Sequence, residues 1–154
     1  MGHDVPHFLE FNQITENIYI GTNMCCQVHF DEKLLSLGIE ADISLEEERL
    51  DAPFGVNFFV WLPTKDLTPP TMDQLHFGVG SIEQLVSLGK KVYVHCKNGH
   101  GRAPTLVAAY LMKTGKSIDE ALLFIKEKRQ VIHLEDSQVE MLKTLAKDSA
   151  GEKF

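Results

Sequence analysis

Val92-Tyr93-Val94-His95-Cys96-Lys97-Asn98-Gly99-His100-Gly101-Arg102-Ala103 decides how this chain is read. An apolar run ends at His95, and a helix-like run, Leu106-Val107-Ala108-Ala109-Tyr110-Leu111-Met112, follows the arginine. A cysteine and an arginine six positions apart therefore bracket a glycine-bearing loop at a strand-to-helix junction. A helix N-terminus carries unpaired N–H groups and the positive end of the helix dipole, so it attracts anions. A loop folded over it aims successive N–H groups inward as a nest. Gly99 and Gly101 permit the backbone angles or close approach that such a nest needs. The same field lowers a thiol's pKa from about 8.5 toward the roughly 3.5–7.5 range of reactive cysteines. Cys96 is thus placed to attack phosphorus, and the planar fork of Arg102 suits two phosphate oxygens. The intervening Lys97, Asn98, Gly99, His100 and Gly101 form the expected substrate-binding cradle.

Working outward, strands and helices alternate. Residues 11–14 and 18–21 read as short strands, and 28–37 as a helix stopped by Gly38. Residues 41–45 and 57–62 read as strands, 71–88 as a helix ended by Gly89, and 91–95 as the central strand. Helices over about 102–114, 118–129 and 137–146 finish the chain. Ser117 with Glu120, and Ser137 with Glu140, have the capping-box pattern, and Gln138 reads as a first-turn helix residue. The alternation predicts an α/β fold with a mainly parallel central sheet flanked by helices. The loop at Cys96 then lies at the carboxyl edge of that sheet, where ligand sites of such folds belong. The helix after it is apolar on nearly every side and is expected to be the buried central one. The 154 residues suffice for one domain with a core, residues 1–8 and 149–154 being expected to be loose.

The loop resembles the His-Cys-x5-Arg signature of the cysteine-dependent protein tyrosine phosphatase superfamily, and more closely its small dual-specificity and lipid-phosphatase branch. Gly99 matches the family glycine three residues after the cysteine. The resemblance extends over 92–112, over Ser117-Ile118-Asp119-Glu120-Ala121 and over the Leu-Pro-Thr-x-Asp stretch at Leu62 to Asp66. There the chain looks like the mitochondrial-type phosphatidylglycerophosphate phosphatases. The resemblance implies a dual-specificity phosphatase-like fold and metal-independent hydrolysis of phosphate monoesters through a phospho-cysteine. It also implies that His95 supports the loop and helps set the thiol's pKa.

Such an enzyme needs an acid for the leaving oxygen. Asp66 is the candidate, in a proline-stiffened loop after the strand-like Phe58-Phe59-Val60-Trp61-Leu62 and thirty residues before Cys96. The resemblance implies that it donates a proton first and accepts one from water later, a role that calls for a raised pKa. Asp73 competes, but Thr71-Met72-Asp73-Gln74 reads as an N-cap and first helical turn.

The sequence departs from the family at Ala103, where the family usually has Ser or Thr. That hydroxyl donates to the cysteine sulfur; its loss is worth about 1.5–3 kcal/mol, or roughly 10–150-fold in rate if it falls on the limiting step. Thr105 is near in sequence but points elsewhere on a regular helix. A slower enzyme with impaired breakdown of the phospho-cysteine is expected.

Lys97 and His100 resemble the basic loop positions of lipid-phosphatase members, so phosphoproteins and anionic phospholipid head groups are both candidate substrates. His100 is only partly charged at neutral pH. The net charge of −7 argues against nucleic acid as a partner. No run of about 20 apolar residues occurs, and no signal-peptide pattern opens the chain. Seven histidines lie without metal-ligand spacing and no GxxxxGK[ST] stretch occurs, so neither metal nor cofactor is expected. Cys25, Cys26 and Cys96 make no secreted disulfide framework. A reactive thiol suits a reducing, cytoplasmic setting, and a monomer is expected. Cys25 and Cys26 read as packed thiols, with trapping of an oxidised Cys96 as the alternative. Two rival readings remain: a catalytically weak phosphate-binding module, and a rhodanese-type sulfurtransferase, which would not need Asp66.

Overall fold

The computed structural model describes residues 9–24 and 29–151; the paired cysteines Cys25 and Cys26 lie outside them. In chain order the elements are β1 (Phe11–Gln13), β2 (Ile18–Gly21), α1 (Glu32–Ser36), β3 (Ile39–Glu46) and β4 (Phe58–Thr64). They continue with α2 (Met72–Ser87), β5 (Lys91–His95), α3 (Arg102–Lys113), α4 (Ile118–Lys128) and α5 (Asp136–Gly151).

The strands form one sheet in the order β1-β2-β5-β3-β4. Only β1 runs antiparallel, against β2; β2 and β3 flank β5 in parallel, and β4 is parallel to β3. The expected mainly parallel sheet is therefore present, with β5 at its centre. Alternate residues of β5 point to opposite faces. Val92 and Val94 join the larger core, with Ile18, Ile20, Ala41 and Ile43 from neighbouring strands. Tyr93 joins a smaller cluster with Tyr19, Phe30, Leu34 and Ile39. Both faces are covered, but unevenly. α1 covers one, whereas residues of α2, α3, α4 and α5 pack over the other.

α3 is the buried central helix that its composition predicts: Arg102 to Ala109 and Leu111 are all buried. Each fully buried Leu or Val there contributes about 1.5–3 kcal/mol. Pro104 falls in the first turn, where a missing N–H costs nothing. Thr71 with Gln74 and Ser117 with Glu120 form complete capping boxes. Asp73 is the first-turn acid of α2, as read.

Two helix starts differ from expectation. α1 begins at Glu32, because the Asp31 carboxylate accepts from the N–H groups of Lys33 and Leu34 and fixes the N-cap there. The Ser137–Glu140 box does not form. α5 already begins at Asp136, and the Gln138 side chain reaches back to the Glu135 N–H at 2.8 Å. That is the reach-back half of a capping box, shifted two residues. The same helix runs on to Gly151, past the expected end.

The parallel strands all end at one edge. Asn23 follows β2, Glu46 ends β3 and Glu48 lies just beyond it, Asp66 follows β4 and Cys96 follows β5. The sheet therefore gathers at that edge residues separated by more than seventy positions in sequence.

Candidate active site

The loop after β5 is held by its carbonyl groups. Lys97 O accepts from the Asn23 N–H at 3.1 Å, and His100 O from the His133 N–H at 2.7 Å. Asn98 O and Gly99 O accept from Nη2 and Nε of Arg129, each at 2.9 Å. Gly101 O accepts from the N–H and hydroxyl of Thr105, at 2.9 and 2.7 Å. Five consecutive carbonyls are thus tied to the protein. Among the described residues, none of the N–H groups from Lys97 to Arg102 donates to protein. With the oxygens turned away, these donors are free to converge on an anion.

Two glycines make this path possible. Gly99 has φ +69° and would place a Cβ 2.6 Å from the carbonyl oxygen of Gly21, so both conformation and space demand glycine. Gly101 is the N-cap of α3, and a Cβ there would stand 2.8 Å from Gln138 Oε1.

Cys96 is 2 % exposed and lies on a pocket of about 140 Å³ with Asp66, Asn98, Gly101 and Arg102. Leu67, His100, His133, Glu135 and Gln138 complete its wall. The pocket thus brings together Cys96, Arg102 and Asp66. Asn98, His100 and Gly101 also line it, while Gly99 is buried and Lys97 projects as an exposed side chain outside the lining. Burial, followed by the charge of Arg129, holds the His100 ring below its usual pKa.

Arg102 is buried and oriented by acids. Its Nη1 and Nη2 donate to the two carboxylate oxygens of Glu48 at 2.6 and 3.1 Å, and Nη1 also donates to Thr64 O at 2.9 Å. Asp66 Oδ1 lies 3.4 Å from Nη2. Among the described residues Nε makes no hydrogen bond, so the Nε side of the fork remains for a ligand. The Arg102 hydrogen bond is the main reason that the Glu48 carboxyl titrates below the usual range.

Behind the loop lies a buried polar layer. His95 Nε2 sits 2.7 Å from Asp42 Oδ1, both side chains 1 % exposed. None of these atoms has a partner of ordinary hydrogen-bond geometry, and protonation of the imidazole makes the contact an ion pair. Burial is the largest influence on the His95 pKa and pulls it down, yet the Asp42 contact and the charges of Asp51 and Glu46 together outweigh it and the net shift is upward. Tyr93 stacks on the imidazole with centroids 5.2 Å apart. Glu46 accepts from Asn23 Nδ2 at 3.1 and 3.2 Å, and Asp51 accepts from the Met24 N–H at 2.6 Å. These acids fix the segment whose Asn23 N–H anchors the loop.

Sequence reasoning missed Glu48, Arg129, Asn23, Asp42 and His133. Only Glu48 left a signal, as part of an acidic run at the end of a strand. Ala103 is buried in the same core cluster as Cys96, and Thr105 spends its hydroxyl on Gly101 O, as the helix register implied.

Residues 18–148 match the family model for the dual specificity phosphatase catalytic domain. The human phosphatidylglycerophosphatase and protein-tyrosine phosphatase 1 is 44 % identical over 88 residues, which make up 56 % of this chain and 44 % of that protein. The chain therefore spans about half the length of the curated relatives it matches. The crystal structure of PTPMT1 superposes with a TM-score of 0.80 at 30 % identity, covering 92 % of this chain and 97 % of that one. Its complex with PI(5)P gives 0.78 at 27 % identity, covering 92 % and 97 %.

Proposed function

The chain belongs to the dual specificity phosphatase family, and from that premise we propose that it hydrolyses phosphate monoesters through a phospho-cysteine at Cys96. The observation that carries this reading is the loop whose carbonyls are all held outward around a buried cysteine and a preset arginine.

In the proposed mechanism the N–H groups of the loop and the Nε side of Arg102 bind the phosphoryl oxygens. Cys96 Sγ attacks phosphorus in line, the P–O bond to the leaving group breaks, and Asp66 gives that oxygen its proton. Water then attacks phosphorus as Asp66 takes its proton, the S–P bond breaks with Cys96 leaving as thiolate, and inorganic phosphate is released. Fixed donors act here without reorganising during the reaction, which is the usual source of the largest rate contribution.

The substrate class is an anionic phospholipid head group or a phosphoprotein. Likeness to a relative named for both phosphatidylglycerophosphate and phosphotyrosine activity supports this pair, as does a structural neighbour solved with PI(5)P. A reducing, cytoplasmic setting suits the buried thiol. Phosphate release by wild type, Cys96→Ser and Asp66→Asn across phosphatidylglycerophosphate, phosphoinositides and phosphopeptides tests the reading. Activity on at least one class, abolished by Cys96→Ser, is expected. Turnover that survives Cys96→Ser rejects it. No activity, combined with tight head-group or phosphopeptide binding, would favour a binding module.

A further inference from the structure

Asp66 sits in a segment with a strained backbone. The next residue, Leu67, has φ +68°, a left-handed backbone that non-glycine residues adopt only when surroundings over-determine it. Within the segment, the Leu67 N–H donates to Asp66 Oδ1 at 2.9 Å, and Thr68 closes a turn onto Lys65 O. From outside, Arg102 holds Thr64 O and pairs with Asp66, while the residues after Asp66 are held by the first turn of α5. Ser137 Oγ donates to Leu67 O at 3.3 Å, and Gln138 Nε2 donates to Thr68 O at 3.1 Å.

Gln138 is 1 % exposed, and both ends of its amide are committed. Oε1 accepts from the Glu135 N–H at 2.8 Å while Nε2 serves Thr68 O. A flipped amide would set N–H against N–H and oxygen against oxygen, so the partners fix its orientation. The amide also lies against Gly101 in the wall of the pocket. One side chain therefore joins the start of α5, the phosphate loop and the strained segment bearing Asp66.

We propose that Gln138 is a positioning residue that locks the Asp66 segment over the phosphate loop by donating its amide to Thr68 O. The proposal rests on the reading of Asp66 as the proton donor. Gln138 acts through backbone geometry and does not itself touch the reacting atoms. Its effect must then appear in the step that needs the proton, and most strongly where the leaving oxygen is basic.

The test compares Gln138→Met, which loses both amide contacts, with Gln138→Glu, which keeps the acceptor for Glu135 and loses the donor to Thr68. kcat/KM is measured on phenyl phosphate, a poor leaving group, and on 4-nitrophenyl phosphate, a good one. Amide hydrogen exchange over residues 64–70 is followed in the same proteins. Both variants are expected to lose at least ~10-fold more rate on phenyl phosphate than on 4-nitrophenyl phosphate, in the direction of Asp66→Asn. Both should also speed exchange in residues 64–70. A role confined to capping α5 would spare Gln138→Glu and overturn the proposal. Equal losses on both substrates, or unchanged exchange in the segment, overturn it too. Failure of the phosphatase reading looks different: wild type then turns over neither ester, and the exchange measurement alone still decides whether Gln138 locks the segment.

Discussion

Arg102 and Glu48 meet as a two-pronged pair, with Nη1–Oε1 2.6 Å and Nη2–Oε2 3.1 Å. They come from different elements, Arg102 from the start of α3 and Glu48 from just beyond β3. Such a fork-to-fork contact fixes the plane of the guanidinium as well as its position. Glu48 therefore aims the arginine before any phosphate arrives.

Glu48→Gln should raise KM for phosphate monoesters and the inhibition constant of inorganic phosphate by about 10-fold, with a smaller change in kcat. The pH dependence has a definite sign. A carboxyl held low by Arg102 contributes stability above its unfolded pKa of about 4.3, and that contribution fades as pH falls through the lower folded value. The melting temperatures of wild type and Glu48→Gln should converge only in that acid window. A pH-independent gap would contradict the pairing.

The Asp42–His95 pair works in the opposite sense. A histidine whose folded pKa is raised contributes stability that is fully present below about 6.5 and fades as pH climbs through the folded value. Wild type should exceed Asp42→Asn in melting temperature most at pH 6 and progressively less above. Removing one partner of a buried pair costs about 3–5 kcal/mol, so the difference at low pH will be large. A gap that widens with rising pH would refute the assignment.

At Ala103 the expectation concerns the second chemical step. Wild type should show a burst of aryl alcohol larger than its steady rate, because no hydroxyl supports Cys96 as leaving group. Ala103→Ser should shrink the burst and raise steady turnover by roughly 10-fold or more. Rapid-quench kinetics measures both, and a burst-free wild type with full turnover would exclude the idea.

Arg129 clamps two neighbouring carbonyls with one buried guanidinium and also donates to Asn12 Oδ1 at 2.8 Å. Lysine has no second prong. Arg129→Lys should weaken vanadate and phosphate binding by about 10-fold or more, because each unmet buried carbonyl costs about 1–3 kcal/mol. Isothermal titration with vanadate reads this directly; wild-type affinity in the variant would show that the clamp is dispensable.

His100 faces the pocket as a weak base, held down by burial and by Arg129 behind it. The His133 N–H donates to His100 O, Glu10 is the acid whose charge reaches the ring, and Glu135 lies 3.6 Å from the His133 ring. For a substrate with a second phosphate, KM should improve as pH falls below the ordinary histidine pKa of about 6.5, and His100→Lys should remove that dependence. A flat profile in wild type would mean that His100 does not meet the second anion.

The parts legible in the sequence were those written locally. Cys96, the glycines and Arg102 share one loop, and their chemistry survives without knowledge of any neighbour. The sheet was legible because apolar strands and amphipathic helices alternate, which leaves few arrangements. The groups that hold the loop were not legible, since Arg129, Asn23 and Glu48 meet it only through tertiary folding. Arg129 read as the end of a helix, because a C-cap is an ordinary place for an arginine. Ser137 with Glu140 misled for a related reason: a valid capping pattern lost to Gln138, which caps Glu135 and grips the Asp66 segment at once.

The central claim is a covalent phosphoryl group on Cys96, and intact-protein mass spectrometry after acid quench tests it most directly. Wild type mixed with 4-nitrophenyl phosphate should carry one phosphoryl group, mapped by peptide analysis to Cys96 and absent from Cys96→Ser. Steady turnover with no phosphorylated protein at any quench time, or a phosphoryl group on another residue, would contradict it.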